Sequence, residues 1–95
     1  MVKHIVFWNV RDDEEKNHNM DEMKKRLTSL VGKIDGLVSA EVGINYNPKG
    51  YDLALYSIFT DRAALDNYQV HPDHMKVKEF VHSVITDRCV VDYEF

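Results

Sequence analysis

Two stretches of this chain alternate with the two-residue period of a β-strand, yet both sides of the alternation are apolar. In residues 2–10, Val6, Trp8 and Val10 fall on one side with His4, while Ile5 and Phe7 fall on the other with Asn9. In residues 51–59, Tyr51, Leu53, Leu55, Ser57 and Phe59 oppose Ala54, Tyr56 and Ile58. An antiparallel sheet with one wet face should instead alternate cleanly between apolar and polar. Helices laid on such a sheet cover one face only, and each large side chain left bare on the other forgoes roughly 1.5–3 kcal/mol of burial. A contiguous patch of that kind marks an interface. The pattern therefore predicts a homodimer whose sheets pack face to face about a two-fold axis, with Trp8 a candidate for the interface. A cavity enclosed within one subunit is the rival explanation, but 95 residues leave little room for it.

Between the strands the period changes. After a polar loop over residues 11–19, Asn19 and Glu22 resemble a capping box, and Met20, Met23, Leu27, Leu30, Val31 and Ile34 follow helical spacing until Gly36 stops the run. Residues 37–46 alternate as a strand with Val38, Ala40, Val42, Ile44 and Tyr46 on one side, and Asn47 to Gly50 make a turn. Asp61 is placed to cap a short helix over 62–68. A second helical run after Pro72 carries Met75, Val77, Phe80, Val81, Val84 and Ile85, and residues 89–95 alternate as a closing strand. The order βαββαβ with right-handed crossovers gives an α+β, ferredoxin-like fold. It has a four-stranded antiparallel sheet with helices on one face, read as one domain over 1–95.

The formal charge is −4 and no basic stripe is present, so nucleic acid is not an expected partner. No run of eighteen apolar residues suggests a membrane span, and MVKHIVFWNV lacks the small-residue cleavage site of a signal peptide. Cys89 stands alone, which excludes an internal disulfide and fits a reducing cytoplasm.

The chemistry concentrates in DNYQVHPDHMKV, residues 66–77. Proline lacks an N–H and suits the first turn of a helix, so Pro72 at that position makes His71 the cap and puts His74 inside the positive end of the helix dipole. That field favours neutral imidazole, the form a general base needs. Tyr68 is placed to orient His74 or to donate to a developing oxyanion, and His4 to line a pocket or an interface. His71 reads first as a cap, since the residue before proline is driven to extended backbone. His18 and His82 are expected in solvent. HPDH offers two histidines three apart, but catalytic zinc needs three protein ligands, and no third has a fixed spacing here. No metal site is expected.

The chain resembles the stress-responsive dimeric α+β barrel family along essentially its whole length. The resemblance is carried by KHIVFWNV with its histidine, GYDLALYSIF, DNYQVHPDHMKV and the closing FVHSVITDRCVVDYEF. It implies a dimer with a pocket between sheet and helices in each subunit, and for most members no settled activity. One plant branch, the polyketide (olivetolic acid) cyclases, works without metal or organic cofactor. Its key tyrosine and histidine match Tyr68 and His74, and its further pocket histidines match His4 and His71. Where that branch has another histidine in the third strand, this chain has Leu53. Near the position of its first-helix tyrosine stand Arg26 and Leu27. The resemblance thus points first to a stress-type protein binding a small apolar carbonyl compound, and second to a cofactor-free cyclase or lyase with His74 as base.

Overall fold

The computed structural model describes residues 1–95. It runs β1 (Val2–Val10), α1 (Lys16–Thr28), β2 (Leu37–Ile44), β3 (Leu53–Phe59), α2 (Arg62–Val70), α3 (Pro72–Val84) and β4 (Ile85–Glu94). The strands form one antiparallel sheet in the order β2-β3-β1-β4, the ferredoxin-like arrangement the sequence predicts. The two strands with apolar side chains on both faces, β1 and β3, occupy its centre, where neither has an open edge.

The helices lie on the face that carries Val2, His4, Val6, Trp8 and Val10 of β1 and Leu53, Leu55, Ser57 and Phe59 of β3, all buried. Met23 and Leu27 of α1 close the core from above, with Leu65 of α2 and Val77, Val81 and Val84 of α3. Trp8 belongs to this face, 4% exposed, and does not sit on the helix-free side where an interface would form. That corrects the expectation for Trp8. Its even-numbered register with His4 and Val6 turns it towards the helices.

The opposite face keeps the second apolar set. Phe7, Tyr56, Val91 and Tyr93 are exposed there, with Ile5 and Ile58 half-buried between them. The register places them side by side, Ile5 opposite Tyr56 and Val91 and Lys3 opposite Ile58 and Tyr93. Lys3 extends over these rings, its Nζ 4.4 Å from the centre of the Phe95 ring. No helix covers this surface.

Several details differ from those read in the sequence; α1 ends at Thr28, so Leu30, Val31 and Ile34 lie in the turns after it and not in the helix. The first helix begins at Lys16, because the Asp13 carboxylate accepts from the Glu15 N–H at 2.9 Å and starts the turn early. Asn19 is then a buried residue of the second turn, and Glu22 pairs with Arg26 at 2.9 Å in place of completing a capping box. In β2 the pairing steps from Leu37–Phe59 to Ser39–Ile58, a bulge that leaves Val38 out of the ladder and exposed. β4 starts at Ile85, because pairing with β1 continues as far as Val10. The corner between α2 and α3 follows expectation: Asp61 accepts from the Ala64 N–H, and Pro72 opens α3.

Gly36 fixes how α2 approaches the sheet. Its φ is +86°, its carbonyl accepts from the Thr60 N–H at 2.9 Å, and an added Cβ would lie 2.4 Å from the Ala64 Cβ. Gly32 has a similar φ of +87° but open space around it. Gly32→Ala should therefore cost only the backbone strain, about 1–2 kcal/mol. Gly36→Ala adds a clash of about 1–3 kcal/mol. Urea denaturation of the two variants checks this; equal midpoints would show that the Ala64 contact is not tight.

Candidate functional site

Beneath α3 the core opens into a small cavity. Its apolar walls are Val6, Leu27, Leu55 and Val81, and four ring side chains, His4, Trp8, Tyr68 and His74, complete the interior. Gln69, Lys78, His82 and Arg88 form its outer margin. The cavity measures about 30 Å³, close to the volume of one water molecule. A groove of about 450 Å³ lies at the far end of β2 and β3, lined by Phe7, Tyr46, Tyr51 and neighbouring residues. It holds no imidazole or carboxylate and adjoins the uncovered sheet face, so size alone does not locate the chemistry.

The interior is built by the sheet register and the α2–α3 corner. His74 stacks on Tyr68 with ring centres 3.8 Å apart and planes 24° apart. Tyr68 packs edge-on against Phe59 at 4.9 Å and lies 6.3 Å from the His4 ring. Tyr68 therefore holds the His74 ring by its face; stacked rings do not direct the phenol O–H at a ring nitrogen. Burial pushes the Tyr68 hydroxyl up to about 12, so it stays protonated as a donor.

His74 is pushed down to about 4, first by burial and then by the nearby Lys78 ammonium, with a smaller push from His4. The backbone carbonyls of Tyr68 and Gln69 oppose the shift. The ring is neutral at pH 7, as expected, but burial rather than the helix dipole leads. Two polar atoms on side chains that line this cavity are fully buried without a hydrogen-bond partner, His74 Nδ1 and Trp8 Nε1. Buried donors and acceptors are nearly always satisfied, and leaving one unmade costs about 1–3 kcal/mol.

The remaining candidates divide. His4 lines the cavity, and its Nδ1 forms a short hydrogen bond with the Asp92 carboxylate across the β1–β4 pair. Its backbone carbonyl accepts from the Ser57 hydroxyl at 2.7 Å. His71 stands apart: it caps α3, its Nδ1 accepting from the Asp73 N–H at 3.1 Å, and it does not line the cavity. Its expected pocket role is replaced by that cap, for which extended backbone before proline suits it. His82 is exposed at the margin, and His18 is exposed on α1. The sequence reading missed Asp92, Trp8, Lys78 and Arg88. Asp92 lies 88 positions from His4, and only strand register brings the two together. No group of three His, Cys, Asp or Glu side chains is placed to hold a metal ion. No helix is long and apolar enough to cross a membrane.

The model of the stress responsive A/B barrel domain (Dabb) family matches residues 2–95. The chain is 24% identical to stress-response A/B barrel domain-containing protein DABB1 of Arabidopsis thaliana, over 98% of this chain and 46% of DABB1, so it spans about half the length of that relative. A dimeric protein of unknown function with ferredoxin-like fold from Bacteroides fragilis is 38% identical and superposes with a TM-score of 0.91, covering 99% of this chain and 95% of that one. A hydroxynitrile lyase from Passiflora edulis superposes with a TM-score of 0.85 at 18% identity, covering 97% and 90%, a likeness of fold alone.

A depressed His74 leaves a signature in stability. Folded His74 titrates at about 4, whereas the group ordinarily titrates near 6.5. Between these values the unfolded chain binds a proton that the folded chain refuses, so stability falls as pH drops from about 6.5 towards about 4. Urea denaturation across that window should show wild type losing stability and His74→Phe, which keeps a ring against Tyr68, losing less. An NMR titration placing folded His74 near 6.5 would overturn this account.

Proposed function

Because this chain belongs to the stress responsive A/B barrel domain family, we propose that it is a stress-response protein that binds a small, largely apolar carbonyl compound between its sheet and helices. The observation that carries the reading is the pair of unsatisfied atoms, Trp8 Nε1 and His74 Nδ1, on two side chains that line one cavity with apolar walls. A ligand oxygen within reach of both would satisfy them whichever tautomer His74 adopts. A carbonyl oxygen accepts from Trp8 and from His74 if Nδ1 carries the hydrogen; an enol or hydroxyl accepts from Trp8 and donates to His74 if it does not. A whole ligand needs more than about 30 Å³, and the margin provides the means. Gln69, Lys78, His82 and Arg88 are long or exposed side chains, and in this reading they swing outward to admit it.

Binding ranks ahead of catalysis because of the His74 proton affinity. A general base works best when it titrates near the operating pH, and His74 at about 4 is a weak acceptor of protons that stays neutral at pH 7. A second reading is a cofactor-free lyase or cyclase of polyketide-cyclase kind, with His74 as base and Tyr68 orienting it through the stack. The His4–Asp92 pair is the observation behind it, since the carboxylate on Nδ1 fixes the aim of His4, a second imidazole lining the same cavity as His74. In either reading His4 contributes to the ligand site, and His71 acts only by shaping the α2–α3 corner. The uncovered sheet face and the dimeric Bacteroides fragilis relative support a homodimer packed through Phe7, Tyr56, Val91 and Tyr93. A free Cys89 accords with a reducing, cytoplasmic setting.

Trp8 is the chain's one tryptophan, so its indole N–H resonance reports on the cleft without interference. Titration with benzoylacetone, which presents an enol and a carbonyl, should shift that resonance, and His74→Phe should weaken binding about tenfold through one lost hydrogen bond. Wild-type exchange of the diketone α-hydrogen in D2O faster than the uncatalysed rate, returned to that rate by His74→Phe, would move the assignment to the second reading. Unchanged Trp8 and unchanged substrate would remove both. For the assembly, light scattering should give a dimer for wild type and a monomer for Tyr56→Glu, which places a charge on the shared face. A monomeric wild type would end the barrel interpretation.

A further inference from the structure

The charge around the cavity runs against the charge of the chain. The protein has 16 acidic and 12 basic residues and a formal charge of −4. Yet the cavity lining contains no aspartate or glutamate, while Lys78 and Arg88 stand at its margin. Neither of these takes part in an ion pair. Asp87, next to Arg88 in sequence, directs its carboxylate to the Arg88 backbone N–H at 2.8 Å and leaves the guanidinium free. Asp92 is engaged by His4. Lys78 lies close enough to His74 to depress its proton affinity, which ties that ammonium to the cavity and not to bulk solvent alone. Two uncommitted cations thus flank an opening lined by two side chains more than nine-tenths buried, each with an unsatisfied polar atom, Trp8 Nε1 and His74 Nδ1.

We infer that the ligand of this cleft is an organic acid. Its apolar body lies against Leu27, Leu55 and Val81, a carbonyl or hydroxyl oxygen reaches Trp8 and His74, and its carboxylate rests between Lys78 and Arg88. This assignment rests on the cleft being the ligand site. It explains why the margin is cationic in an acidic protein: the local field concentrates anions that the molecule as a whole repels. A carboxylate placed there also gains charge-assisted hydrogen bonds, above all from the guanidinium, whose fork matches its two oxygens.

The test compares 3-benzoylpropionate with its methyl ester, which share a ketone and a ring and differ in charge. Both are titrated against wild type, Lys78→Met and Arg88→Met while the Trp8 indole resonance is followed. Wild type should bind the acid about tenfold more tightly than the ester, a preference that shrinks with added salt. Each variant should cut the preference for acid over ester several-fold. An ester that binds as well as the acid, or an acid preference untouched by both variants, would overturn the organic-acid assignment while leaving the binding cleft in place. If neither these probes nor benzoylacetone moves the Trp8 resonance, the cleft itself fails and the assignment goes with it.

Discussion

Everything in this molecule turns on a central strand that must bury both of its faces. β1 lies between β3 and β4 and carries His4, Val6 and Trp8 towards the helices and Ile5 and Phe7 away from them. One set of side chains becomes the floor of the cavity, and the other becomes the middle of the uncovered sheet face. Because successive side chains point to opposite faces, the two sets cannot exchange without a shift of the whole strand by one residue. The same hydrogen-bond ladder that closes the core therefore fixes the aim of His4 and Trp8.

The site's chemistry follows from where the helices place polar groups in that dry interior. A histidine in the first turn of a helix, against a tyrosine and beside an ammonium, loses its affinity for protons; the tyrosine keeps its own. Both shifts arise chiefly from desolvation, so they are properties of the packing. The carboxylate that does reach an imidazole belongs to the edge strand, where Asp92 remains partly in water while its partner His4 is buried. Tyr68 and His74 are thus neutral in the interior, while Lys78 and Arg88 hold their charge at the margin.

Much of the architecture was legible because it depends on local chemistry. Period-two and helical spacings, the Asp61 cap, Pro72 at the start of α3 and Gly36 at a turn gave the element order and the sheet. Alternation also showed that both faces of β1 and β3 are apolar. It could not say which face meets the helices, which is why Trp8 was expected at an interface and lies in the core. The start of α1 depended on one Asp13 hydrogen bond, and the loss of Val38 from the β2 alternation on a bulge that no residue type announces. Tyr68 and His74 were found together because seven positions hold them. Asp92, Arg88 and Lys78 were not, since strand register and the packing of α3 bring them to His4 and His74.

The edge strand has a consequence for how the molecule responds to dilution. β4 beyond Ile85 is exposed on both faces, the type of segment that frays first because little apolar surface holds it down. It nevertheless carries Asp92 and Arg88 on one side and Val91 and Tyr93 on the other. Contact with a second molecule would clamp the strand from below and so steady the histidine it grips above, making association an entropic contribution to the order of a pocket the partner never touches. The cleft of a solitary subunit would then be a looser, intermittently assembled version of the same site.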